Sequence, residues 1–284
     1  MDELSTLADR CWRVLDTIHV PVYFAPEPTA AYGELGIRPR AGYFVSRSAA
    51  MGAVSPEVTI ATFYVFAPEL VRHVMRGCWE SAGPDQVTEA RRRGVGQALH
   101  RVLGDPDVTE AVELARELCA GLEPHGRALY AAHAALPWPE DDPLLVLWHA
   151  ATLVREHRGD AHMAALLLSG LDPVESLVTG GVTSGRTEFF QQTRGWSEEQ
   201  WAAGEARLRE RDLLATDGTL TDAGTGLRED IEQRTAEATA AAWQRFGAER
   251  AARLLELTRP LAQTVAASDL LPEQLRRREA TPRR

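Results

Sequence analysis

At 284 residues, 44% hydrophobic and 25% charged, the chain has the make-up of a soluble globular protein, long enough for one large or two ordinary domains. A net charge of −10 opposes bulk attraction to nucleic acid or anionic membrane, and all 31 basic residues are arginine, which a GC-rich genome explains more simply than phosphate recognition does. No apolar run approaches the ~18 residues of a membrane span, and Met1-Asp2-Glu3 lacks the basic start of a signal peptide, so the expectation is a cytoplasmic protein with no membrane partner.

In chain order, Cys11, Cys78 and Cys119 are odd in number, far apart and without CxxC spacing, which favours buried free thiols over a disulfide or zinc site. Tyr23, Phe24, Tyr43, Phe44, Phe63, Tyr64, Phe66 and Trp79 crowd the first part of the chain. Aromatics at helical spacing usually form core; with Met51 they also suit a wall for a bulky planar ligand. Helix starts are written in Ser55-Pro56-Glu57 and Ala67-Pro68-Glu69, where proline's missing N–H costs nothing and an acid suits the helix dipole. Arg91-Arg92-Arg93 reads either as a solvated helix face or as a DNA contact. Gly104 to Asp107 is too short for a pair of strands, and Pro137 to Pro143 reads as a joint.

Arg155-Glu-His-Arg-Gly-Asp-Ala-His162 is the best candidate for chemistry, because so many ionisable groups are costly to bury unless paired with one another or with a ligand. On a helix Glu156 and Asp160 share a face, and His157 lies beside Asp160. His157 and His162 diverge by about 140°, which rules out a simple two-histidine metal pair. One reading is an interface of ion pairs, with His162 satisfied by a backbone carbonyl. The other is a pocket in which His157, Arg158 and His162 bind polar or anionic parts of a small molecule.

Asp172-Pro173 with Glu175 marks another helix start, and Ser197 with Gln200 has capping-box spacing before a helix through Trp201 and Leu208. Leu213-Leu214, Asp217-Gly218, Thr219-Leu220-Thr221 and Asp222-Ala223-Gly224 then predict a short β-wing and a further helix. This order is that of a winged helix. Between Ser197 and Glu237, however, eleven acids stand against five arginines, and Glu198, Glu199 and Glu205 lie on the helix that would enter a major groove. A second basic cluster, Arg276-Arg277-Arg278 with Arg283-Arg284, closes the chain as a flexible tail over 271–284.

Landmarks of the first half, from Arg47 to Ala111, recur in order between Arg155 and Ala223, which implies an ancestral unit duplicated and fused. The copies are 1–140, without a wing, and 141–270, with one. Tyr23 to Glu27, Tyr43-Phe44 with Arg47 and Met51-Gly52, Phe63-Tyr64 with Pro68, Leu147-Trp148, the Arg155 to His162 octapeptide and Arg194 to Ser197 carry a family resemblance. On these pieces the chain resembles, over nearly its whole length, actinobacterial helix-turn-helix proteins distantly related to MarR-type regulators, a family named for its fold rather than for an activity. The resemblance implies a mainly α fold in which tandem, degenerate winged-helix units form an intramolecular pseudo-dimer, with an effector pocket near the junction.

The expected function is binding of a small, bulky aromatic or natural-product molecule, as receptor or sequestering protein, by a monomer or homodimer. The candidate ligand-binding residues are Phe24, Tyr43, Arg47, Met51, Phe63, Arg155, His157, Arg158, Asp160, His162 and Trp196. The alternative is a MarR-like DNA-binding regulator using Arg91, Arg92, Arg93, Arg207 and Arg209. A second alternative is an enzyme built around residues 155–162, although no phosphate loop, GxSxG, HExxH or CxxC motif is present and no cofactor or metal is implied.

Overall fold

The computed structural model describes residues 3–272. The Arg276–Arg278 and Arg283–Arg284 clusters lie outside the described residues. The chain is mainly helical, in the order α1 (Glu3–His19), α2 (Pro21–Phe24), α3 (Pro26–Glu34), α4 (Pro39–Ser48) and a 3-10 turn (Ala49–Met51). There follow α5 (Pro56–Phe63), α6 (Pro68–Met75), α7 (Cys78–Ser81), α8 (Pro84–Leu103), α9 (Thr109–Ala120) and α10 (Ala128–Ala134). The series continues with α11 (Pro143–Leu168), α12 (Pro173–Ser184), α13 (Thr187–Arg194), α14 (Glu198–Glu210), α15 (Asp222–Phe246) and α16 (Ala248–Ala267).

The helix starts are local devices. Proline occupies the first turn of α5, α6 and α12. Ser55 accepts from the Val58 N–H. Asp172 with Glu175 and Ser197 with Gln200 form reciprocal capping boxes that satisfy otherwise orphaned N–H groups. The three cysteines are free and buried, and burial pushes the Cys11 and Cys119 thiols up to about 12.

Two compact units form, and neither is continuous in sequence. Among the described residues the first takes 3–54, 77–158 and 239–272; the second takes 55–76 and 159–238. This division follows spatial contact, whereas the copies 1–140 and 141–270 concern ancestry. The joint from Pro137 to Pro143 is the loop that leads from α10 to the first residue of α11, inside the first unit.

The first unit is built on α1 against α16 and α3 against α8. Its core includes Leu15, Leu99, Leu118, Leu147, Trp148, Trp243, Leu254 and Leu270. Gly94 permits the α3–α8 crossing, because a Cβ there would lie 2.5 Å from the Pro28 Cα. Gly94→Ala is therefore expected to cost roughly 1–3 kcal/mol, as overpacking against backbone does, read by chemical denaturation.

The second unit closes around Leu166, Leu171, Val174, Leu177, Trp201, Leu208, Leu213 and Ile231. Here α13, a turn from Gly195 to Ser197, and α14 form a helix, a tight turn and a second helix. Gly195 holds φ at 81°, in the left-handed region, with Leu70 filling the space a Cβ would need.

The predicted β-wing does not form. Among the described residues there is no strand, only an isolated antiparallel bridge between Leu214 and Leu220. The physical reason lies at both ends of the segment. Asp212 leaves α14 with φ at 55°, and the Thr221 hydroxyl already accepts from the Gly224 N–H to cap α15. What remains is a hairpin turn held by Thr221 N–H to Leu213 O (3.3 Å), Ala215 N–H to Thr219 O (2.8 Å) and Gly218 N–H to Ala215 O (3.1 Å), too short for a two-stranded ladder.

Candidate functional site

Polar groups in a helical core need local reasons, and the first unit contains an unusual concentration of them. Asp16 and His19 stand on α1, Tyr23 on α2, Tyr32 on α3, Tyr43, Ser46 and Arg47 on α4, Arg91 on α8, His133 on α10, and His149, Thr152, Arg155 and Glu156 on α11. Asp16, His19, Tyr32, Ser46, Arg91, His133, His149, Thr152 and Glu156 are all buried.

Glu156 is fully buried and held by a forked pair of bonds from Arg47, Nε to Oε1 at 2.9 Å and Nη2 to Oε2 at 2.5 Å. Burial alone would raise its pKa; the charge and bonds of Arg47 outweigh that and hold it at about 2. Arg47 also donates to the Tyr43 hydroxyl at 3.1 Å. Arg155 pairs with Asp16 and lies 5.5 Å over the Tyr23 ring.

His19 fixes a chain of polar contacts. The Thr152 hydroxyl donates to the Trp148 carbonyl (3.0 Å) and so accepts from His19 Nδ1–H (2.9 Å). His19 Nε2 is then left to accept from the Tyr23 hydroxyl at 3.1 Å. The ring stacks on Trp148, with centroids 5.8 Å apart and planes 6° from parallel. Burial, then the nearby guanidiniums of Arg155 and Arg91, keep His19 neutral. His133 donates from Nε2 to the Arg47 carbonyl at 3.3 Å, and burial pushes its pKa down to about 3.

Arg91 is the exception to this pairing. It is 3% exposed, yet its nearest polar contacts are long: Nη1 to Ser46 Oγ at 3.4 Å and Nη2 to the Tyr23 hydroxyl at 3.5 Å. Its Nε has no hydrogen-bond partner. Its Cζ stands 5.3 Å from the Tyr23 ring centroid and 5.3 Å from that of Trp148. No carboxylate pairs with it among the described residues.

Of the residues singled out from sequence, Tyr43, Arg47 and Arg155 come together in this cluster. Phe24 is 38% exposed at the end of α2, and Met51 is partly buried in the 3-10 turn. His157 is buried edge-on to Tyr130, and burial lowers its pKa to about 4. Arg158 lies 4.2 Å over the Trp12 ring. Phe63, Asp160, His162 and Trp196 belong to the second unit. There His162 Nδ1 bonds the Thr235 hydroxyl at 3.0 Å, and Trp196 donates to the Val65 carbonyl at 3.0 Å.

Arg91 is turned inward, so it presents no charge at the surface. Arg92 pairs with Glu89 and Asp141, Arg93 with Glu34, Arg207 with Asp172 and Glu175, and Arg209 with Glu205. On α14 the exposed residues are Glu198, Glu199, Gln200, Ala202, Ala203, Ala206, Arg209 and Glu210. The turn after it, Ala215 to Thr219, carries Asp217 and no arginine. Over the second unit seventeen acids face nine arginines.

Sequence reading missed Asp16, His19, Tyr32, His133 and His149; of these Asp16, His19 and His133 bond residues 139, 133 and 86 positions away along the chain. A signal was present for two of them: Asp16 and His19 fall on the buried side of α1 with Leu15 and Ile18.

A family model described as a helix-turn-helix family matches residues 8–272. No curated protein and no solved structure gives a match.

Proposed function

The chain belongs to this helix-turn-helix family, and from that premise we propose that it uses a DNA-binding, regulator-like scaffold to bind a small molecule in its first unit. The observation that carries the reading is the polar cluster in which the buried Arg91 stands with the partly buried Arg47 and Arg155 against two buried carboxylates, Asp16 and Glu156. Taking a charge out of water without a partner costs several kcal/mol, so a protein that keeps one there gains something by it. In this proposal the gain is ligand recognition, with Tyr23, Tyr43 and Trp148 as aromatic walls. The receptor or sequestering role, the distant MarR-type kinship and the fusion of copies 1–140 and 141–270 belong to the same proposal. The pairing of Arg155 and Glu156 with Asp16 and Arg47 supports the octapeptide as a place where those copies meet.

The second reading is a DNA-binding regulator, and family membership favours it. Against it stand the exposed face of α14, the arginine-free turn and the acid excess of the second unit. Specific duplex binders gain affinity by neutralising phosphates, and here the presented charge is of the wrong sign.

A thermal-shift screen with a library of aromatic and anionic compounds, paired with duplex titration across a salt series, separates the two. The expected outcome is stabilisation by a subset of the library, with duplex binding no tighter than the ordinary nonspecific range of ~10⁻⁶ M at physiological salt. Tight duplex binding with a steep salt slope, and no compound that stabilises, would sink the small-molecule reading.

A further inference from the structure

Arg91 allows the ligand class to be named. The other two guanidiniums, Arg47 and Arg155, are partly buried and each hold a carboxylate, so the cluster carries one positive charge more than its acids neutralise. The surplus resides where the contacts are poorest, on a guanidinium that is 3% exposed and whose Nε is without a partner. Two further buried polar atoms without partners, Tyr32 Oη and His149 Nε2, belong to residues that feel this same guanidinium. Ser46 and Arg91 lie near the Tyr32 hydroxyl, but neither makes a bond of ordinary geometry with it. Arginine's planar fork, a hydroxyl and, in its Nε2–H tautomer, the His149 imidazole all donate, and the acceptor that serves all three while balancing the guanidinium carries negative charge.

We propose that Arg91 anchors a buried site for a small monocarboxylate, with Tyr32 and His149 as additional donors and the Tyr23 and Trp148 rings as walls. A monoanion matches the surplus of one charge; a dianion would leave a new imbalance of opposite sign. A carboxylate takes two parallel N–H bonds from a guanidinium, which the present 3.4 and 3.5 Å contacts do not supply. This deepens the small-molecule reading and rests on it.

The test uses the intact chain in chloride-free buffer at fixed ionic strength, with acetate, benzoate, chloride, phosphate and the neutral isostere benzamide as probes. Acetate or benzoate is expected to raise the melting temperature in a saturable manner, while benzamide, chloride and phosphate leave it unchanged. In Arg91→Gln and Arg91→Met the dissociation constant for the active carboxylate, read by calorimetry, is expected to weaken at least tenfold. If neither variant folds, the benzoate and benzamide comparison on the wild-type protein still decides. Equal stabilisation by chloride or benzamide, or full retention of binding in a folded Arg91 variant, overturns the site. Stabilisation by neutral library compounds alone overturns the carboxylate site and leaves the small-molecule reading standing. Loss of both requires that nothing stabilises the protein and that it binds duplex tightly.

Discussion

Glu156→Ala is expected to destabilise the protein by about 3–5 kcal/mol, the usual penalty for removing one partner of a buried ion pair. Glu156 is fully buried, and its removal takes both charge-assisted bonds from Arg47, which stands beside two other guanidiniums. The loss is set by the stranded charge more than by the bonds themselves. Glu156→Leu combined with Arg47→Met should therefore recover most of it, since an apolar pair of similar volume carries no desolvation cost. Urea unfolding of the two single variants and the double variant measures this directly. Additive losses in the double variant would show that the pair does not act as a unit.

The second large effect is on acid stability. His19, His133 and His149 are buried and neutral, with pKa values lowered chiefly by burial: well below the ordinary range for His19, to about 3 for His133 and about 4 for His149. Arg91 and other nearby cations add to the effect at each of them. Below the ordinary histidine pKa of 6.5 the unfolded chain takes up protons that the folded chain refuses. Stability is thus full above pH 6.5 and is lost as pH falls toward the folded values. Each such histidine contributes up to about 1.4 kcal/mol per pH unit, and His157, lowered to about 4 by burial, acts in the same window, so the four together give at most about 5 kcal/mol per unit below pH 6. Glu156 acts in a lower window, from its ordinary value of 4.5 down to about 2. Acid unfolding is therefore expected to begin with the histidines, near pH 5. His149→Phe, which removes one of these bases, should make the stability profile shallower between pH 6 and 5; an unchanged slope would contradict the assignment.

Much of the helical frame was legible because its signals are local. The Ser197–Gln200 and Asp172–Glu175 boxes span three residues, and both close as their spacing requires. The wing was over-read for a related reason: Thr219-Leu220-Thr221 has strand-like alternation, but Thr221 is already engaged as a helix cap. The pairing stops there because α15 begins at Asp222: the Thr221 N–H still bonds Leu213 O across the turn, while its hydroxyl accepts from the Gly224 N–H.

The candidate site was half legible. A run as rich in charge as Arg155 to His162 calls for partners, and those of Arg155 and Glu156, Asp16 and Arg47, lie 139 and 109 residues away. No local pattern identifies such a partner. Arg91 is different, because its signal was present and outweighed by its neighbours. Three arginines in a row suggest a basic patch, yet successive helical residues point about 100° apart. Val87, Arg91, Val95 and Ala98 share the buried face of α8, whereas Arg92 and Arg93 reach Glu89, Asp141 and Glu34.

The claim that function resides in the first unit's buried cluster, with the α14 face idle toward DNA, is tested most directly by one competition measured by native mass spectrometry. The intact protein is mixed with equimolar random-sequence duplex and the carboxylate probes. The account predicts a one-to-one carboxylate adduct that is absent in Arg91→Met, and no protein–DNA complex. A dominant protein–duplex complex, with no small-molecule adduct on the wild-type chain, would contradict it.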